Sequence, residues 1–157
     1  MNILKKNNIK MTWSLVYVGI SNNLLSIEDF LKEMDTAFLN ELAVDTISEL
    51  YIKSENSKED FLDYIKHIGE VTDDDIKESN WIWSMSYLND ILSSDNSIHE
   101  KLRKICDVWA KFNYPSEWTH FIYYMPSNIG ISSEEGLYEQ FLLYMKKENE
   151  KLVRYTC

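Results

Sequence analysis

The sequence predicts an all-α fold: a compact assembly of about seven helices, arranged as a bundle or a short stack of helical hairpins. Three observations carry this expectation. Apolar residues recur at i, i+3, i+4 and i+7 along most of the chain. Capping residues stand just ahead of those stretches. Helix breakers are scarce, with 4 glycines and 2 prolines among 157 residues.

The first strong period is Trp13, Val16, Tyr17 and Ile20, with Thr12 as its N-cap. Ser26 opens the next helix, and Asp29 three residues on makes a variant of the capping box. Ile27, Phe30, Leu31, Met34 and Phe38 trace its face. A third helix follows through Ala43, Ile47, Leu50 and Tyr51, and the polar run Ser54 to Ser57 reads as a loop. Residues 58–68 form a fourth helix through Phe61, Leu62, Ile65 and Ile68. Gly69 is expected at its C′ position, in the left-handed conformation that glycine tolerates. Thr72 caps a fifth helix reaching about Leu92, with Asp73, Asp74 and Asp75 against the positive end of its dipole.

Ser97 and Glu100 make an S-x-x-E capping box for a sixth helix through Leu102, Ile105, Cys106 and Trp109. Tyr114-Pro115 ends that region, because a residue before proline avoids helical angles. Periodicity does not decide whether Pro115 to Pro126 is a short helix or an irregular buried element. Asn128 to Ser132 reads as a loop. Ser132 or Ser133 caps the last helix, whose apolar side holds Leu137, Phe141, Leu142, Tyr144 and Met145. Its terminal lysines suit the negative end of the dipole. There is no fixed-period repeat, and the chain is read as one domain over 1–157 with residues 1–11 as a flexible lead-in.

The net charge of −10 is unevenly spread. Residues 22–80 hold 16 acids against 5 lysines, whereas 81–157 hold 10 acids against 8 bases. A negative field repels nucleic-acid phosphates and attracts basic proteins, so no nucleic-acid partner is expected. No apolar stretch approaches membrane-spanning length, so no membrane partner is expected either. Lys5, Lys6 and Lys10 ahead of Met11 to Ile20 faintly resemble a signal peptide. Thr12 and Ser14 interrupt the run, and Ser21-Asn22-Asn23 is a poor cleavage site. Two cysteines, Cys106 and Cys157, make no disulfide framework, which fits a cytoplasmic location. Cys106 lies among helix-spaced apolar residues and is expected buried and inert.

The chain lacks G-x-S-x-G, a P-loop, a dinucleotide fingerprint and H-E-x-x-H. Glu117-x-x-His120 has the spacing of a di-iron helical bundle, but no second such pair accompanies it. His67, His99 and His120 are read as structural or solvent-facing. No cofactor and no metal site is implied. The distinctive feature is aromatic: Trp81, Trp83, Tyr87, Trp109, Phe112, Tyr114, Trp118, Phe121, Tyr123 and Tyr124 fall close together. Most must be core. Trp81 and Trp83, two apart on a helix, cannot share a face, so one is expected near the surface. Exposed aromatics are favoured interface anchors. Asp73, Asp74, Asp75, Glu78, Trp81, Trp118 and Tyr123 are therefore the candidate partner-binding residues. An alternative is an enzyme or ligand-binding domain whose aromatic-lined pocket uses His120 or Glu117.

The runs Lys111-Phe112-Asn113-Tyr114-Pro115 and Phe121-Ile122-Tyr123-Tyr124-Met125-Pro126, with Thr12-Trp13 near the start, resemble a bacterial family known as domain of unknown function number twenty-two forty-seven. That resemblance spans nearly the whole chain and implies no activity and no site residues. More loosely, size, acidity and missing catalytic motifs resemble the small immunity proteins of bacterial toxin systems. This implies one cytoplasmic domain that blocks a basic toxin by occlusion.

Overall fold

The computed structural model describes residues 3–33, 42–122, 125 and 133–156. Within them the fold is all-α, with no strand and one isolated antiparallel bridge between Ile9 and Thr156. Among the described residues no helix is long and apolar enough to cross a membrane. The chain divides into two compact units, and the division falls inside one helix, after Trp81.

The unit spanning 11–81 holds α2 (Trp13–Ser21), α3 (Ile27–Glu33), α4 (Val44–Asn56), α5 (Lys58–Ile68) and the first half of α6 (Asp73–Leu92). Its caps follow the sequence. Thr12 Oγ1 accepts from the Leu15 N–H, and Ser26 Oγ accepts from the Asp29 N–H while donating to the Asp29 carboxylate at 2.7 Å. α5 packs against both α2 and α4. Phe30 from α3 joins them, its ring lying edge-on to Trp13 at 6.4 Å and to Phe61 at 6.2 Å. Leu15, Val16, Leu50, Phe61 and Ile65 are buried in this unit. Met34 and Phe38 of the expected α3 face lie outside the described residues.

Three local expectations are corrected in this unit. Ser54 to Asn56 are helical, not a loop, and only Ser57 breaks the chain by capping α5 through the Asp60 N–H. Tyr51 is not on the packed face of α4 but 50% exposed. Gly69 has φ −88, and the left-handed residue is Glu70 at φ 47. The reason for glycine at 69 is close approach. A Cβ there would sit 2.4 Å from Cβ of Trp13, inside any real contact.

The other unit contains α1 (Ile3–Lys6), α6 from Ile82 onward, α7 (Ile98–Lys111), a 3-10 helix (Ser116–Phe121) and α8 (Glu134–Leu152) with a 3-10 turn behind it. α8 packs on α7, on the 3-10 helix and on that final turn. Leu102, Ile105, Trp109, Phe121, Phe141 and Met145 are buried in it. The capping box of Ser97 and Glu100 is complete, and Ser133 caps α8 through the Gly136 N–H. Residues 3–10 make contacts within this unit. Leu4 is fully buried, the Lys10 N–H donates to the Tyr155 carbonyl at 3.0 Å, and Lys6 pairs with Asp90.

Candidate partner-binding surface

The acidic candidates stand on the first turns of α6, which begins at a capping box. The Asp75 N–H donates to Thr72 Oγ1, and the Asp75 carboxylate accepts from both the Thr72 hydroxyl, at 2.6 Å, and the Thr72 N–H, at 2.8 Å. Those two bonds, the hydroxyl first, hold the Asp75 carboxyl below its ordinary range. Asp75 is thus committed to starting the helix. Asp73, Asp74 and Glu78 remain exposed. Asp74 pairs with Lys77 at 2.9 Å, and that hydrogen bond raises the lysine above its usual value.

Asp74, Glu78 and Trp81 follow i, i+4 and i+7, so they form one stripe along α6. Trp81 is half-buried while Trp83 is fully buried, as the two-residue offset requires. The stripe therefore ends in an aromatic ring with part of its surface open.

Trp118 does not belong to such a surface, which corrects the expectation. It is 2% exposed, and its indole Nε1–H donates to the Tyr144 hydroxyl oxygen at 2.9 Å. Phe121 stacks near it at 6.2 Å and Tyr144 meets it edge-on at 6.3 Å, so the ring is core. Tyr123 lies outside the described residues, as do Tyr124 and Cys157. Glu117 and His120 are exposed on the 3-10 helix. Among the described residues no group of three or more His, Cys, Asp or Glu is placed to hold a metal ion. His99 is exposed, and its Nδ1 lies 2.7 Å from the Glu134 carboxylate. Cys106 is half-buried rather than fully enclosed.

The aromatic motif around residue 114 turns out to be architecture. Asn113 and Tyr114 take left-handed angles, φ 61 and φ 60, where α7 stops. Each such non-glycine residue costs roughly 1–2 kcal/mol. Three hydrogen bonds offset that strain. The Tyr114 N–H donates to the Trp109 carbonyl at 2.9 Å, the Asn113 N–H to Ala110, and Trp109 Nε1–H to the Pro115 carbonyl at 2.9 Å. The Tyr114 ring then stands edge-on to Trp109 at 4.9 Å, and Lys111 Nζ lies 4.8 Å from the centre of the Tyr87 ring.

Sequence reasoning missed a second exposed feature. α4 turns Val44, Tyr51 and Ile52 outward, 77%, 50% and 55% exposed. Its inward side rests on Leu50 alone as a fully buried residue. The signal was in the spacing: 44, 48, 51, 52 and 55 form one helical face, which borders the one assigned to the core and shares Tyr51 with it.

No curated protein and no solved structure matches the chain. A family model described as "Uncharacterized protein conserved in bacteria (DUF2247)" matches residues 1–149. With that match covering nearly its whole length, including the aromatic corner at Asn113-Tyr114-Pro115, the chain belongs to the DUF2247 family of bacterial proteins.

Proposed function

We propose that this protein is a protein-binding module for a basic partner, most concretely a cytoplasmic immunity-type inhibitor that blocks a bacterial toxin by occlusion. The supporting observation is the α6 stripe, where exposed Asp74 and Glu78, with exposed Asp73 beside them, lead to the partly open ring of Trp81. It stands in the region with 16 acids and 5 lysines between residues 22 and 80. Carboxylates in that arrangement raise the encounter rate with a cationic surface, and an adjacent ring supplies short-range energy.

The experiment is affinity capture from the native host with mass spectrometry, repeated with a variant carrying Asp73→Asn, Asp74→Asn and Glu78→Gln. The expected prey is a basic protein whose association with the wild type slows steeply as salt rises, and slows at every salt in the variant. Co-expression should then protect a host from that prey. Prey with no basic character, or an association rate indifferent to salt and to the variant, would remove the reading.

A further inference from the structure

We propose that the outward face of α4 docks a helical, lysine- or arginine-rich segment of the partner protein. The inference rests on the protein-binding reading above and locates its short-range contacts. α4 lies against α5, and Leu50 is its fully buried residue. The opposite side carries Val44, Asp45, Ser48, Tyr51, Ile52 and Glu55, so apolar and acidic side chains share one helical face. From Val44 to Glu55 that face runs roughly 17 Å, the length of three turns of a partner helix. Apolar surface mixed with a charged margin is the pattern of an interface rather than of a solvated helix.

Charge decides the occupant. The cations nearby in sequence are already engaged: Lys53 lies 3.7 Å from Glu49, and Lys58 donates to the Asn23 side chain at 2.7 Å and to the Ser21 carbonyl. The face itself therefore presents Asp45 and Glu55 as its charges. A second copy docked by a two-fold axis would set these carboxylates against their own kind. An anionic lipid surface and a nucleic acid are repelled for the same reason. A cationic protein segment is attracted. The face also offers side chains and no open backbone edge, so the segment must bring its own apolar stripe, as a helix does.

The test uses a labelled synthetic peptide of about 18 residues, five helical turns, with leucines at i, i+3, i+4 and i+7 and lysines elsewhere. A second peptide replaces every lysine by glutamate. Amide chemical-shift mapping on the full-length protein should place the lysine peptide on α4, and the glutamate peptide should not bind. A variant carrying Val44→Ser, Tyr51→Ser and Ile52→Ser removes the apolar side chains of this face, each half or more exposed, and should bind about tenfold more weakly. The mapping is read on the wild type, so it stands even if the variant folds poorly. Shifts confined to Asp73, Asp74, Glu78 and Trp81, with affinity unchanged in the serine variant, would overturn the α4 assignment while leaving the basic-partner reading intact. Equal binding of the two peptides, or no binding of the lysine peptide, would also overturn it. So would concentration-dependent dimerisation that the serine variant abolishes.

Discussion

The indole N–H of Trp118 and the hydroxyl oxygen of Tyr144 are joined at 2.9 Å inside the core that α8 and the 3-10 helix share. Burial is the larger influence on Tyr144, pushing its phenol up to about 12, and the Trp118 bond pulls the other way. A phenol whose folded value lies above its unfolded one contributes stability that is complete below the unfolded value. That contribution is lost as pH rises through the folded value. Unfolding measurements should therefore show stability falling between about pH 10, the ordinary tyrosine value, and about pH 12. Tyr144→Phe should flatten that fall. At neutral pH it should cost about 1–3 kcal/mol by leaving the buried indole N–H unpaired.

Gly69 makes a sharper prediction, because the steric and conformational explanations for a glycine diverge there. Its φ of −88 suits any residue, whereas an added Cβ would press on the Trp13 Cβ. Gly69→Ala should therefore destabilise by about 1–3 kcal/mol, the usual cost of overpacking. Glu70→Gly should instead be neutral or stabilising by up to about 1 kcal/mol, since Glu70 carries the left-handed angle. Urea midpoints of the two variants moving in the same direction would contradict this division of roles.

This pair also shows what a sequence can and cannot convey. Thr12, Ser26, Ser97 and Ser133 announce their helices because a cap is a local bond between residues three apart. Gly69 could be placed at a helix end by the same local logic, yet the residue that needs it is Trp13, far away in sequence. α1 has four residues, too few to nucleate on its own, so no local pattern marks it. Ser54 to Asn56 read as a loop because they are polar, but they simply continue an exposed helical end. Among the candidate site residues, the spacing correctly separated Trp81 from Trp83. It could not rank Trp118 against them, since its burial is decided by Tyr144 and Phe121 closing over it. For α4 the periodicity was equally available to two faces, and only packing against α5 shows which became core.

The start of α6 should be the acid-sensitive point of its unit. Asp75 has a carboxyl held below its ordinary range, so its contribution is present above the ordinary carboxyl value and is lost as pH falls through the folded one. Amide protection over residues 73–78, taken relative to the intrinsic exchange rate at each pH, should fall on acidification before that of the helix interior does. Thr72→Ala should cost about 1 kcal/mol at neutral pH. Asp75→Asn should abolish the acid sensitivity of these amides. If the Asn variant kept the same acid profile, the cap would not be its origin.

The N-terminal segment should prove to be structural cement. Leu4 is fully buried, Ile9 is buried, and Ile9 bridges to Thr156 while the Lys10 N–H donates to the Tyr155 carbonyl. Asn7 adds a side-chain bond to the Ser86 carbonyl, at 3.3 Å. Leu4→Ala should then cost about 2–5 kcal/mol, the range for truncating a buried leucine. Lys6→Ala, whose pairing with Asp90 is half-exposed, should cost no more than about 1 kcal/mol. Removing residues 1–10 should lower the thermal midpoint more than either substitution, because it also takes away the bond to the Tyr155 carbonyl and the bridge to Thr156. A truncated protein melting with the wild type would show that these contacts contribute nothing to stability.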